Sequence, residues 1–343
     1  MPNSRTSPLV SLCTATCARP HTIGRPDLLR ESLAGLLAQT YSPLEVLVLV
    51  DGDSRDAIEL LKTITDTRFR WMTTPGPSGW AGSWNRVCRE AKGKYILFCA
   101  DDDVLLPNAV DEQVRLLESH PEVGFCHADL IYIDDDGAEL GRWISHRGRF
   151  IDRGLDAWPD YLVATGCSMP SVVIRRDLWL MVGGWDDAGN PSDNALYLKL
   201  LRHSAVGHVD RMTCKYRFRV RTPDSWARQF RNLREYYALA MKHLADPPEP
   251  FSGSISRLTR QVLNRLVRDG VALRMSAPDE RSRAELRDWL DRHVWRYTAF
   301  GCACRFLDRL HALGLVSAAH VVNLMCRQSA KWVLIRTLRR SAL

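Results

Sequence analysis

The apolar run Tyr95-Ile-Leu-Phe-Cys-Ala100 stops abruptly at three acids, Asp101-Asp102-Asp103. A short aromatic and β-branched run of this kind reads as a strand buried on both faces. Such strands belong to parallel sheets covered by helices, so this junction constrains the fold more than any other feature. Three like charges at one strand end repel each other unless a cation or a polar network offsets them. Oxygen-only donor sets suit hard divalent cations, so Mg²⁺ or Mn²⁺ is the expected cofactor. The carboxyl edge of a parallel strand is also where α/β sheets place their ligands. The bland alternative is a solvated turn or a helix cap ahead of Pro107.

The flanking sequence alternates between strand and helix patterns. Leu9–Cys13 is strand-like, and Asp27 is placed to cap a helix reaching Gln39, with Leu28, Leu29, Leu33, Leu36 and Leu37 on its apolar side. Glu45–Val50 reads as a second buried strand ending at Asp51. A helix over 56–65, a short strand over 69–72, a Pro/Gly loop over 75–79 and a helix over 83–92 follow. Pro107 then opens a helix to about Ser119. The predicted fold class is α/β with a doubly wound mixed sheet. Val123–Ile133 continues as strand, turned at Asp134–Gly137, and a mixed region extends to Arg221. Residues 226–343 are helical in pattern, with a break at Asp246–Pro250. Val321, Met325, Trp332 and Ile335 share a weak helical stripe. The expected division is a catalytic domain over 1–225 and a basic helical region over 226–343.

Composition narrows the partners. The 343 residues are 45% hydrophobic and carry a net charge of +7. Residues 231–343 hold 20 Lys and Arg against 10 Asp and Glu, whereas 1–230 hold 27 against 30. The basic excess therefore lies in the C-terminal third, where it fits an anionic membrane surface or another acidic partner. The ten Cys form no CxxC pair, which suits reduced core thiols in a cytoplasmic protein. Met1-Pro-Asn-Ser-Arg5 lacks the apolar core of a secretory leader, and no apolar run approaches the ~20 residues that span a bilayer. The chain has neither GxGxxG after its first strand nor GxxxxGK[ST]. A dinucleotide oxidoreductase and a P-loop NTPase are both disfavoured.

Other residues have two readings each. Asp51 ends a strand where an acid accepts from a base or ribose, or is simply a turn residue. Asp193 opens an apolar helical segment, as an N-cap or as a general base for an alcohol. Arg217 and Arg219, in Tyr216-Arg-Phe-Arg-Val220, either meet a diphosphate or line an exposed edge strand. His127, His203 and His208 read as strand or surface histidines.

Together these pieces resemble the family 2 inverting glycosyltransferases of the GT-A fold, over roughly residues 7–221. The resemblance rests on Val10–Thr16, Leu37-Ala-Gln-Thr-Tyr41 with Glu45–Asp51, Asn85 ahead of Ala91–Ile96, the acidic triplet with Leu106-Pro107, and Gly183-Gly-Trp-Asp-Asp187 before Asp193. It implies a GT-A type nucleotide-diphospho-sugar transferase fold with a C-terminal helical extension. Asp51, Asp101, Asn85 and Arg217 would bind the donor, Asp102 and Asp103 the metal. Asp193 would be the catalytic base, with Trp185 and Asp186 on the acceptor side. The implied partners are a nucleotide sugar (a UDP-sugar by family frequency) and a saccharide or lipid-linked acceptor, with no nucleic acid. The implied location is cytoplasmic, peripheral on the inner face of the membrane.

The match has departures. Ala100 stands where the motif usually starts with Asp, Trp84 where an Arg precedes Asn85, and Ser192 where a Glu precedes the base. These departures motivate a rival, a non-catalytic GT-A-like nucleotide-binding or scaffold module. A nucleotidyltransferase is weaker, because Ala15–Pro20 has no Gly run. No QxxRW segment follows Asp193, which argues against a processive synthase.

Overall fold

The computed structural model describes residues 7–17, 26–145, 150–164, 167–186, 193–218, 223–251 and 253–294. The stripe at Val321, Met325, Trp332 and Ile335 lies outside them, as do Asp187 and Ser192. The chain separates into two compact units, Met1–Val220 and Arg221–Leu343.

The elements of the first unit are β1 (Val10–Cys17), α1 (Pro26–Leu37), β2 (Leu44–Asp51), α2 (Arg55–Lys62), β3 (Phe69–Thr73), α3 (Gly79–Arg89), β4 (Tyr95–Phe98), β5 (Val104–Leu105), α4 (Asp111–Ser119), β6 (Val123–Ile133), β7 (Glu139–Trp143), β8 (Phe150–Asp152), α5 (Gly154–Val163), β9 (Val172–Arg175), α6 (Arg176–Met181), α7 (Asp193–Leu201) and β10 (Ala205–Arg217). They build one mixed sheet in the order β3-β2-β1-β4-β9-β6-β10-β5, with β7 beside β6 and β8 beside β10. Strands β1 to β4 pair in parallel, and β9 then enters antiparallel between β4 and β6.

The buried runs follow from this layout. Val46 through Val50 are fully buried because β2 sits inside the sheet with helices on both faces. One core joins Leu12, Leu33, Leu36, Val48, Leu61, Leu97, Val114 and Leu117 across sheet and helices.

Strand order also gathers the acids. β1 lies between β2 and β4, with Cys17 opposite Asp51 and Cys13 opposite Phe98. Asp51 and Asp101 therefore emerge at the same carboxyl edge. This is the position the sequence assigns to them, on the α/β fold it predicts.

Two helix starts differ from expectation. Helix α3 begins at Gly79, ahead of residue 83, because Asp51 organises the preceding loop. Helix α4 begins at Asp111, not Pro107. The carbonyl of Pro107 accepts from the N–H and the hydroxyl of Thr40, at 2.8 and 3.0 Å, so a turn forms first.

The second unit contains α8 (Pro223–Ala245), α9 (Ile255–Met275) and α10 (Glu280–His293). Ser254 caps α9 and Asp279 caps α10, each by accepting a backbone N–H. Val262, Leu266, Leu286 and Leu290 are buried in it, and the Trp226 indole donates to the carbonyl of Leu273 at 2.9 Å. Among the described residues, no helix is long and apolar enough to cross a membrane.

Candidate active site

Asp51 terminates β2 and is nearly enclosed. Its two oxygens accept from the backbone N–H of Ser78 at 2.8 and 3.0 Å, and the hydroxyls of Thr74 and Ser83 lie 2.7 and 2.8 Å away. Burial alone would push this carboxyl up. The hydrogen bonds from Thr74, Ser78 and Ser83 outweigh it and hold the group below its ordinary value. The carboxylate thus fixes the 75–79 loop and the start of α3. Trp80, which the sequence reading missed, follows at once and is 39% exposed.

The acidic turn between β4 and β5 is held by neighbours of several kinds. The Thr16 hydroxyl donates to Asp101 Oδ2 at 2.6 Å, and the Ser32 hydroxyl to the carbonyl of Ala100 at 3.0 Å. Asp101 is buried, while Asp102 is half-buried. Asp103 is only 2% exposed and accepts the backbone N–H of Arg217 at 2.7 Å. Burial and the adjacent Asp102 charge raise the Asp103 carboxyl well above its ordinary value.

Arg217 lies beside this turn, but its donors face inward. Nε donates to the carbonyl of Asp102, NH1 to those of Asp134 and Asp135, and NH2 to Glu31 Oε2, all between 2.6 and 2.9 Å. Its side chain is 1% exposed. The expected diphosphate ligand is therefore a buried clamp. Arg219 lies outside the described residues.

Asn85 likewise has an architectural position. Its side-chain amide donates to the carbonyl of Trp185 at 2.8 Å and accepts the Trp185 N–H at 2.9 Å. The two preceding glycines both have positive φ, +79° at Gly183 and +69° at Gly184. A Cβ on Gly184 would lie 2.3 Å from Asn85 Oδ1. Trp185 is buried against Trp80, Trp84, Phe98 and Trp179, so it is a packed core residue. Trp84, the departure from the usual Arg, belongs to this cluster. Asp186 is exposed and pairs with Lys199 at 2.8 Å.

Asp193 starts α7 and keeps partial solvent contact. Burial pushes its carboxyl up to about 7, tempered by the nearby Trp185 indole. The indole N–H itself reaches no partner in full hydrogen-bonding geometry. A carboxylate near 7 is matched to proton abstraction at neutral pH. Tyr216 connects this group to the acidic turn, since Asp103, Asp193 and Asp102 all bear on its phenol. Burial first, then those three charges, raises that phenol above its ordinary value. Its strand alternation with Phe218 was the sequence signal that could have identified it.

Of the three histidines read as strand or surface residues, His127 on β6 and His208 on β10 are buried and His203 is exposed. His208 Nε2 lies 2.9 Å from Asp129 Oδ1, and the His127 ring is 4.8 Å from the His208 ring.

The acidic turn offers few donors for a divalent cation. Among the described residues, no group of three or more His, Cys, Asp or Glu converges on a metal position. With Asp103 turned inward, a cation at this turn would meet the carboxylates of Asp102 and Asp101. One or two carboxylates completed by phosphate oxygens and water suit Mg²⁺ or Mn²⁺.

Known glycosyltransferases resemble this chain in sequence and fold. The model for glycosyl transferase family 2 matches residues 20–179. The chain is 28% identical over 170 residues to the UDP-Glc:alpha-D-GlcNAc-diphosphoundecaprenol beta-1,3-glucosyltransferase WfgD of Escherichia coli, covering 50% of this chain and 61% of that protein. It is 24% identical over 212 residues to an uncharacterised glycosyltransferase of Rickettsia bellii (strain RML369-C), covering 60% and 30%. The chain thus spans less than two thirds of the length of these relatives. Among solved structures, it is similar to the mannosyltransferase PcManGT of Pyrobaculum calidifontis in complex with GDP-Man and Mn²⁺, with a TM-score of 0.52, 15% identity, and 95% and 87% of the two chains covered. It is also similar to S. aureus TarS 1-349 in complex with UDP-GlcNAc, with a TM-score of 0.52, 12% identity, and 80% and 83% covered. At these identities the structural likeness is one of fold. The chain is thus similar to glycosyltransferase family 2 over residues 20–179, and it shares the α/β fold of these glycosyltransferase structures.

Proposed function

We propose that this protein is a metal-dependent, inverting, non-processive glycosyltransferase. It moves a sugar from a nucleoside-diphosphate donor to an acceptor hydroxyl in cell-surface glycan or glycoconjugate synthesis. The observation that carries this reading is the acidic turn that ends β4, joined through the Asp103–Arg217 bond to the strand of Tyr216, whose phenol also feels Asp193. Asp101 and Asp102 lie at the end of β4, while Asp193 is raised to about 7 at the start of α7. Tyr216 lies within the electrostatic reach of both. A carboxyl raised toward neutral pH is suited to take a proton, while oxygen donors in an acidic turn are suited to a divalent cation.

Asp193 takes the proton from the acceptor hydroxyl as that oxygen attacks the anomeric carbon. Attack from the face opposite the leaving diphosphate inverts the centre. Asp102, with Asp101, would hold Mg²⁺ or Mn²⁺, which when bound supplies positive charge to the departing diphosphate. Asp51 and the loop it fixes face the donor base, and Asp101 the ribose. Arg217 and Asn85 serve by holding the acidic turn and Trp185 in place.

Relatives supply the substrate class. WfgD is named for UDP-glucose and a diphosphoundecaprenol-linked acceptor. A UDP-sugar donor and a lipid-linked saccharide acceptor follow by analogy. That acceptor would place the protein on the inner face of the membrane, with the basic second unit toward anionic lipid. Pelleting with anionic vesicles, lost on truncation at about residue 226, tests this placement.

Calorimetric titration of UDP and GDP, with and without Mn²⁺, tests the donor site on the unaltered chain and on Asp102→Ala. The expected result is tight binding of one nucleotide that requires both the metal and Asp102. Absence of binding under every condition would overturn the reading in favour of a non-catalytic module.

A further inference from the structure

Trp185, the aromatic residue expected to face an acceptor, is buried in an aromatic cluster. Another aromatic group stands at the same edge. Tyr132 near the end of β6 is paired in register with Tyr216 on β10. Phe218 follows, its N–H bonded to the carbonyl of Ile133 at 2.7 Å. Alternation puts Tyr216 and Phe218 on one face and Arg217 on the other. The Tyr132 ring lies 5.9 Å from Tyr216 and 6.2 Å from Phe218, at 88° and 80°. These edge-on contacts do not stack the rings face to face. Both tyrosines are half-buried and Phe218 is 48% exposed.

The surroundings select the ligand. The N–H of Arg217 ties this part of β10 to Asp103 at 2.7 Å, so the aromatic group abuts the acidic turn. A surface that joins ring faces to a phenol and carboxylates matches a pyranose, with its apolar C–H face and its rim of hydroxyls. An anionic polymer would be repelled by the same carboxylates. A lipid chain would leave them unpaired.

We infer that Tyr132, Tyr216 and Phe218 form the acceptor-saccharide subsite, with the exposed Phe218 ring stacking on a pyranose, Tyr132 flanking it and the Tyr216 hydroxyl bonded to its rim. The inference rests on the proposed transferase function and names the residues that would seat its acceptor.

Saturation-transfer NMR on the full chain with UDP and Mg²⁺ tests it. The probes are methyl β-D-glucopyranoside and its 2-acetamido analogue, with glycerol as the polyol control. Both binding measurements are made first on the unaltered protein. If it binds neither nucleotide nor pyranoside, the transferase reading fails. If it binds nucleotide but transfers no more saturation to either pyranoside than to glycerol, only the subsite is overturned.

The expected result is saturation of the pyranoside C–H protons. Phe218→Ala should lower it roughly five- to tenfold, and Phe218→Trp should restore it. Thermal melting establishes that each variant is folded. A Phe218→Leu variant that transfers saturation as the unaltered protein does would overturn the stacking role. Tyr216→Phe should weaken the signal while retaining the ring, and an unchanged signal would remove the hydroxyl from the subsite.

Discussion

Arg217 holds Asp103 and Asp102 at once, donating its backbone N–H to the Asp103 carboxylate at 2.7 Å and its guanidinium Nε to the Asp102 carbonyl at 2.9 Å. The remaining guanidinium donors reach Asp134, Asp135 and Glu31. Replacing it strands several partly buried acceptors. Arg217→Met should therefore destabilise the fold by about 3 kcal/mol or more in urea denaturation. If Arg217 instead served chiefly as a diphosphate ligand, stability would be little changed and nucleotide affinity alone would fall.

Asp193 links chemistry to stability. Its folded value of about 7 exceeds the ordinary 3.8, so the folded chain retains a proton that the unfolded chain releases. The stability attached to that proton is complete below the ordinary value and is lost as pH rises through about 7. Asp193→Asn has no such proton to lose. It should melt about 3 °C or more above the unaltered chain at pH 8, with the gap closing at low pH. Its transfer rate should fall at least roughly a hundredfold. In the unaltered enzyme, kcat should rise across pH 7 to a plateau.

Gly184 has little room for a side chain. Its φ is +69°, and a Cβ would lie 2.5 Å from Trp179 Cζ2 as well as 2.3 Å from Asn85 Oδ1. Gly184→Ala should cost about 3 kcal/mol by strain and overpacking together. A shift of the urea midpoint measures it. Near-ultraviolet circular dichroism should change too, since the Trp cluster is displaced.

Asp51→Ala removes the carboxylate that collects Thr74, Ser78 and Ser83. The expected loss is about 2 kcal/mol of stability. Nucleotide affinity should drop roughly tenfold or more as the loop loosens, read by calorimetry. Unchanged affinity would separate this loop from the donor site.

Much of the frame was legible in residue patterns. The run Val46–Val50 and the strand before Asp101 announce buried parallel strands, because only such strands are apolar on successive residues. The positions of Asp51, Asp101 and Asp193 followed from strand and helix ends. The partners of Arg217 and Asn85 did not. Both side chains bond to backbone groups brought close by folding, Asn85 across a separation of 100 residues. Main-chain acceptors leave no trace in side-chain chemistry. The burial of Trp185 was also hidden, since it depends on four aromatic neighbours from three other segments. His208 and Asp129, 79 residues apart, meet only because β6 and β10 are adjacent.

The acidic turn is suspended mainly by its main chain. The Ser32 hydroxyl grips the carbonyl of Ala100, the N–H of Asp103 returns to that same carbonyl at 3.2 Å, and Arg217 grips the carbonyl of Asp102. None of these contacts consults the side chain at position 100. The scaffold is therefore indifferent to the first letter of the motif. An acid or an alanine can stand there while the loop keeps its course.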